Sequence, residues 1–153
     1  LKYLLEQRSN SRPGTETILL AEDDEQLRDY IRDSLSTAGY TVLEATDGIE
    51  AVQLLQQNKN PIGLLLTDMA MPRLSGEALA RRAAREIPAI RILLMSGHLD
   101  NVLAHEKAMA GSTAFLQKPF STQELLSCVR AVLDDAYGRP LASTAIDSII
   151  DAA

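Results

Sequence analysis

Cysteine is almost missing from this sequence, with Cys128 the single thiol in 153 residues. One cysteine excludes an internal disulfide framework and fits a reducing compartment. Basic residues are outnumbered: 15 Lys and Arg stand against 21 Asp and Glu, giving a net charge of -6 and a pI of about 4.9. Nucleic-acid binding needs clustered Lys and Arg, so the balance argues against DNA or RNA as this chain's own partner. Long apolar runs are missing too. None approaches the ~18–20 residues of a membrane span, and Leu4-Leu5 is too short for the apolar core of a signal peptide. The expectation is a cytoplasmic protein with no membrane contact. What is present is ordinary for a globular domain, 46% hydrophobic and 24% charged, with enough chain for one core and terminal extensions. The start at Leu1 rather than Met fits a piece of something longer.

From Glu16 onward strand and helix patterns alternate. Residues 17–21 form a short apolar strand. A helix over 24–37 follows, with Leu27, Tyr30, Ile31, Ser34, Leu35 and Ala38 on one face and Gly39 as its stop. Residues 40–45 are a second, partly polar strand suited to a sheet edge, and Asp47-Gly48 opens a helix facing inward with Ala51, Val52, Leu54 and Leu55. The run 62–67 is a wholly apolar strand ending at Asp68. Ser75-Gly76 leads a third helix, with Leu79, Ala83 and Ile87 buried and Arg81, Arg82 and Arg85 mostly solvated. Residues 90–95 make a fourth strand ending at Ser96. A fourth helix over 99–109 is poorly periodic. Residues 113–117 are a fifth strand ending at Lys118-Pro119, and a fifth helix starts at Ser121, where Ser121 and Glu124 form a capping box. Its core face is Leu125, Leu126, Val129, Val132 and Leu133.

Five such units predict an α/β fold: a doubly wound, five-stranded parallel sheet of order 2-1-3-4-5 with five helices. Residues 1–15 read as an extension or linker, 16–137 as the domain, and 138–153 as a tail.

Apolar runs that end abruptly in chemistry-bearing residues carry the functional signal. Ile18-Leu19-Leu20-Ala21 runs into Glu22, Asp23 and Asp24; the third strand ends at Asp68, the fourth at Ser96, the fifth at Lys118. In this topology these carboxyl ends open on one edge, where such sheets place ligands. Clustered carboxylates repel unless a cation neutralises them, and a hard divalent ion, Mg²⁺ or Mn²⁺, suits oxygen ligands. Taken singly, an Asp after a strand caps the next helix, and Asp23 or Asp24 can do so here. Taken together, the set supports phosphoryl transfer to a carboxylate. Asp68 is the nucleophile, Asp23 and Asp68 hold the ion, and Lys118 and Ser96 meet phosphoryl oxygens.

The motifs Leu19-Leu20-Ala21-Glu22-Asp23-Asp24, Asp68-Met69-Ala70-Met71-Pro72-Arg73-Leu74-Ser75-Gly76, Met95-Ser96-Gly97 and Lys118-Pro119-Phe120 resemble those of bacterial two-component response regulator receiver domains. The resemblance covers about residues 16–137 and implies the flavodoxin-like receiver fold. It also implies Asp68 as the phosphorylation site, with Mg²⁺ bound by Asp23, Asp68 and the Ala70 backbone carbonyl, and by Glu22 through a water. Arg28 would help place Asp23, leaving Asp24 as a helix-start residue. Ser96 and Lys118 would contact the phosphoryl group, Pro119 would be cis, and the family's rotating aromatic falls on Phe115, which lacks a tyrosine's hydroxyl. The switch surface would be the fourth helix, fifth strand and fifth helix, a surface that could also pair two copies. Ala70 and His98 would tune phosphoryl lifetime. His105 and Cys128 receive only a structural reading.

The partner implied is a sensor histidine kinase or a histidine phosphotransfer protein, and the chain itself is a phosphoacceptor, not an enzyme. The competing reading is a receiver-like docking module that is never phosphorylated. An aspartyl-phosphate hydrolase would need an Asp where Ala70 stands, and a flavodoxin-like electron carrier would find its cofactor phosphate repelled by the acids of the first strand. Residues outside the domain leave no room for a DNA-binding or catalytic output, so the chain is either a single-domain regulator or part of a larger protein. The opening 14–19 and the Met95-Ser96-Gly97-His98 junction lean towards receivers of hybrid sensor kinases.

Overall fold

The computed structural model describes residues 14–57, 61–97 and 113–134. Within them β1 (Thr17–Ala21), α1 (Glu25–Thr37), β2 (Thr41–Ala45), α2 (Gly48–Gln57), β3 (Leu64–Asp68), α3 (Gly76–Glu86), β4 (Arg91–Ser96), β5 (Thr113–Gln117) and α4 (Thr122–Leu133) follow one another. The strands form one parallel sheet of order β2-β1-β3-β4-β5, the doubly wound arrangement expected. The helix expected over 99–109, with His98 and His105, lies outside the described residues, as do most of the two terminal extensions. The helix expected fifth is therefore α4.

The central strands are apolar because both of their faces are covered. Ile18, Leu19 and Leu20 of β1 and Leu64, Leu65 and Leu66 of β3 are fully buried, each side chain contributing roughly 1.5–3 kcal/mol relative to exposure. The partly polar β2 takes the edge, as its sequence suggests. Helix starts are set by side-chain caps: Asp24 accepts from the Leu27 N–H, Ser75 from Ala78 and Ser121 from Glu124. Each satisfies an orphan donor of the first turn. Gly39 takes φ +103 after α1, a conformation that costs glycine little.

Two details depart from the periodicity. Strand β3 starts two residues later than expected and keeps Asp68 in its ladder, because the Met69 N–H donates to the Met95 carbonyl at 3.0 Å. Tyr30, expected on the inner face of α1, is 41% exposed. Its hydroxyl lies 2.6 Å from that of Thr122 on α4, so a polar tip holds the ring at the seam between the helices and out of the core.

Candidate functional site

Three strand tips build the site. After β1 the Glu22 N–H donates to the Ala45 carbonyl at 3.1 Å, holding the chain on its ladder while Asp24 caps α1. Glu22 thereby turns inward, only 1% exposed, and Asp23 outward. Asp68 closes β3 next door. Past β5, the Lys118 N–H donates to the Ser96 carbonyl at 2.8 Å and the Lys118–Pro119 peptide is cis. The Lys118 Nζ lies 3.2 Å from Asp68 Oδ2 and 3.6 Å from Glu22 Oε1. Carboxylate oxygens of Glu22, Asp23 and Asp68 lie within 4.8 Å of one another.

Three acids against one ammonium leave an excess of negative charge in a partly dry pocket. Burial first, then the neighbouring Asp68 charge, raises the Glu22 carboxyl from 4.5 to about 7, and Lys118 opposes the rise. Glu22 Oε2 is buried without a hydrogen-bond partner. Such a group costs free energy as it stands. An all-oxygen set with surplus charge and an unsatisfied buried carboxylate oxygen fits a hard divalent cation.

The surrounding residues brace this cluster. Arg28 Nη1 donates to the Glu22 carbonyl at 2.8 Å, and its Nε stands 3.8 Å from Glu44. It supports the main chain beneath the acids; the contacts seen run to Glu22 and Glu44, not to the Asp23 side chain. The Ala70 N–H reaches Asp68 Oδ1 at 3.4 Å, and Ala70 is exposed beside it. Ser96 is buried at the end of β4, and Phe115 packs in the core at 8% exposure. The Asp24 expectation is met: it is the N-cap of α1.

Two supporting residues carried little sequence signal. The Thr67 hydroxyl donates to the Asp68 carbonyl at 2.9 Å. Gly76, read only as a helix leader, passes so close to the tip of β3 that a Cβ would stand 2.0 Å from the Asp68 oxygen. Its N–H donates to the Met69 carbonyl. At the opposite end of the sheet, Arg130 joins Glu16, Tyr40 and Asp134. An arginine inside the apolar run of α4 was the only hint of that cluster.

The family model described as the response regulator receiver domain matches residues 18–130. The response regulator receiver protein CpdR of Brucella abortus is 35% identical over 116 residues, covering 76% of this chain and 95% of that protein. Sensor kinase CckA of the same organism is 29% identical over 128 residues, 84% of this chain but 14% of the kinase. Response regulator MprA of Mycobacterium ulcerans is 36% identical over 141 residues. Among solved structures, the receiver domain of hybrid histidine kinase CckA superposes with a TM-score of 0.66 at 30% identity, covering 77% of this chain and 99% of that one. A receiver protein from Sinorhizobium medicae gives 0.72 at 28%, covering 79% and 96%. The chain thus spans nearly all of CpdR, 60% of MprA and a small part of the CckA kinase.

Proposed function

The chain belongs to the response regulator receiver family, a signalling module of two-component systems, and from that premise we propose that Asp68 accepts a phosphoryl group from a phosphohistidine. The observation that carries the reading is the approach of Lys118 Nζ to Asp68 Oδ2, 3.2 Å, with Glu22 and Asp23 beside them. An Asp68 carboxylate oxygen attacks phosphorus and forms the acyl-phosphate P–O bond. The donor's P–N bond breaks, and its electron pair stays on the imidazole. Little covalent work falls to the protein, so position and charge neutralisation supply the catalysis.

Lys118 pairs with one phosphoryl oxygen as a point charge, and the Ser96 hydroxyl donates to another. Asp23 and Asp68, with the Ala70 carbonyl and with Glu22 through a water, would hold Mg²⁺ or Mn²⁺. Such an ion supplies neutralisation of phosphoryl charge. The new charge draws Ser96 and Lys118 inward and shifts a pre-existing population. Phe115, already buried and without a hydroxyl, follows by packing alone. The output face comprises the expected helix over 99–109, β5 and α4. A homodimer through it, a histidine kinase or phosphotransfer partner, a hybrid-kinase parent and a cytoplasmic site of action belong to the same reading. Among the described residues no helix is long and apolar enough to cross a membrane. Residues 16–137 form the receiver between the flanking 1–15 and 138–153, and Ala70 with His98 sets phosphoryl lifetime.

Incubation with acetyl phosphate and Mg²⁺, followed by intact mass measurement, tests the reading. One phosphoryl group is expected on the parent chain and none on Asp68→Asn. A parent chain that gains no mass would leave a docking module in its place.

A further inference from the structure

A cavity of about 440 Å³ lies between α1 and α4. Tyr30, Asp33, Ser34 and Ala38 line it from one side, and Thr122 and Leu126 from the other. Tyr30 presents its ring there at 41% exposure. One end of this groove is Ala38, whose carbonyl accepts the Gly14 N–H at 3.1 Å, and Gly14 itself packs against the Tyr40 ring. Gly14, the first described residue, therefore stands at this end of the groove.

Those residues are chemically matched to it. Leu1, Leu4 and Leu5 fall at helical spacing, and Lys2, Arg8 and Arg12 stand against one acid, Glu6. Along α1 the balance is reversed: Glu25, Asp29 and Asp33 face two arginines. One of these, Arg32, is shared among Asp29, Asp33 and Glu44.

We propose that residues 1–13 are the groove's occupant, with Leu4 and Leu5 against Tyr30 and Leu126 and the basic side chains over the acids of α1. The reach is sufficient. Ala38 to Tyr30 is about 12 Å along a helix, whereas the stretch from Leu5 to Gly14 can extend about 30 Å. A short tether gives an effective concentration in the millimolar range, so a modest apolar contact suffices. Occupied, the groove is closed to outside proteins at Thr122, four residues past Lys118. The segment is thus a built-in competitor for this face.

Paramagnetic broadening in the full chain tests this. A nitroxide is attached to Lys2→Cys; Cys128 is buried and out of the reagent's reach. The amide signals of Tyr30, Ser34, Ala38 and Leu126 should lose more than half of their intensity. Adding Leu4→Asp and Leu5→Asp should restore them without altering the signals of the sheet. Equal broadening with and without the aspartates would show a tether that merely passes by, and overturns the proposal. Broadening that appears when isotope-labelled, spin-free chains are mixed with spin-labelled ones would assign the groove to a second copy, and overturns it as well.

Discussion

Replacing Arg130 by Met should cost the fold about 2 kcal/mol near neutral pH, and most of that cost should vanish in acid. The Arg130 side chain is 8% exposed. Its Nη1 donates to Glu16 Oε1 at 3.1 Å and to Tyr40 Oη at 3.2 Å, its Nη2 to Glu16 Oε2 at 2.7 Å and Asp134 Oδ1 at 2.8 Å. Breaking a fully buried pair costs about 3–5 kcal/mol. Glu16 and Asp134 are a third exposed, so water recovers part of the loss and about 2 kcal/mol remains. Hydrogen bonding from Arg130 lowers the Glu16 carboxyl from 4.5 to about 2. Its folded pKa lies below its unfolded one. The contribution is therefore complete above about 4.5 and drains away as pH falls towards about 2. Tryptophan is absent, so urea unfolding is best followed by far-ultraviolet circular dichroism over a pH series. The gap between parent and Arg130→Met should narrow through that window, and Glu16→Gln should remove most of the pH dependence. A gap that stays constant from neutral to acid would refute the assignment of Glu16 as the titrating partner.

Gly76→Ala should destabilise by about 3 kcal/mol in the same urea assay, since its Cβ has no room beside the Asp68 carbonyl and backbone on both sides resists moving. Glu22→Gln removes a like charge from beside Asp68 and Asp23. Relief of that repulsion should raise metal-free stability by about 1 kcal/mol while shrinking the gain in melting temperature on adding Mg²⁺; an unchanged Mg²⁺ gain would remove Glu22 from the ion's surroundings. Burial pushes the Cys128 thiol up to about 12. A disulfide-exchange reagent should therefore react far more slowly with the native chain than with the chain in urea, and equal rates would contradict the packing of α4.

The architecture and the chemical character of the site were legible in the linear order of residues. Apolar runs too short for helices, separated by amphipathic stretches and closed by Glu22, Asp68, Ser96 and Lys118, specify a parallel sheet whose tips carry charge. That reading works because a strand buried on both faces must be apolar throughout, and because right-handed crossovers bring alternate tips to one edge. The helix starts at Ser75 and Ser121 were equally plain, whereas the residues alone left Asp23 and Asp24 both open as the first cap and the Leu27 N–H contact decides for Asp24. Distances and burial were not. Only packing turned Glu22 inward and left Asp23 in solvent, though they are adjacent in sequence. Only the close approach of α3 to β3 made Gly76 indispensable, and only the meeting of both ends of the domain gathered Glu16, Tyr40 and Asp134 around Arg130. Those contacts join residues up to 114 positions apart. Local periodicity reports the face a residue occupies, whereas its partner across the core depends on how whole elements are stacked.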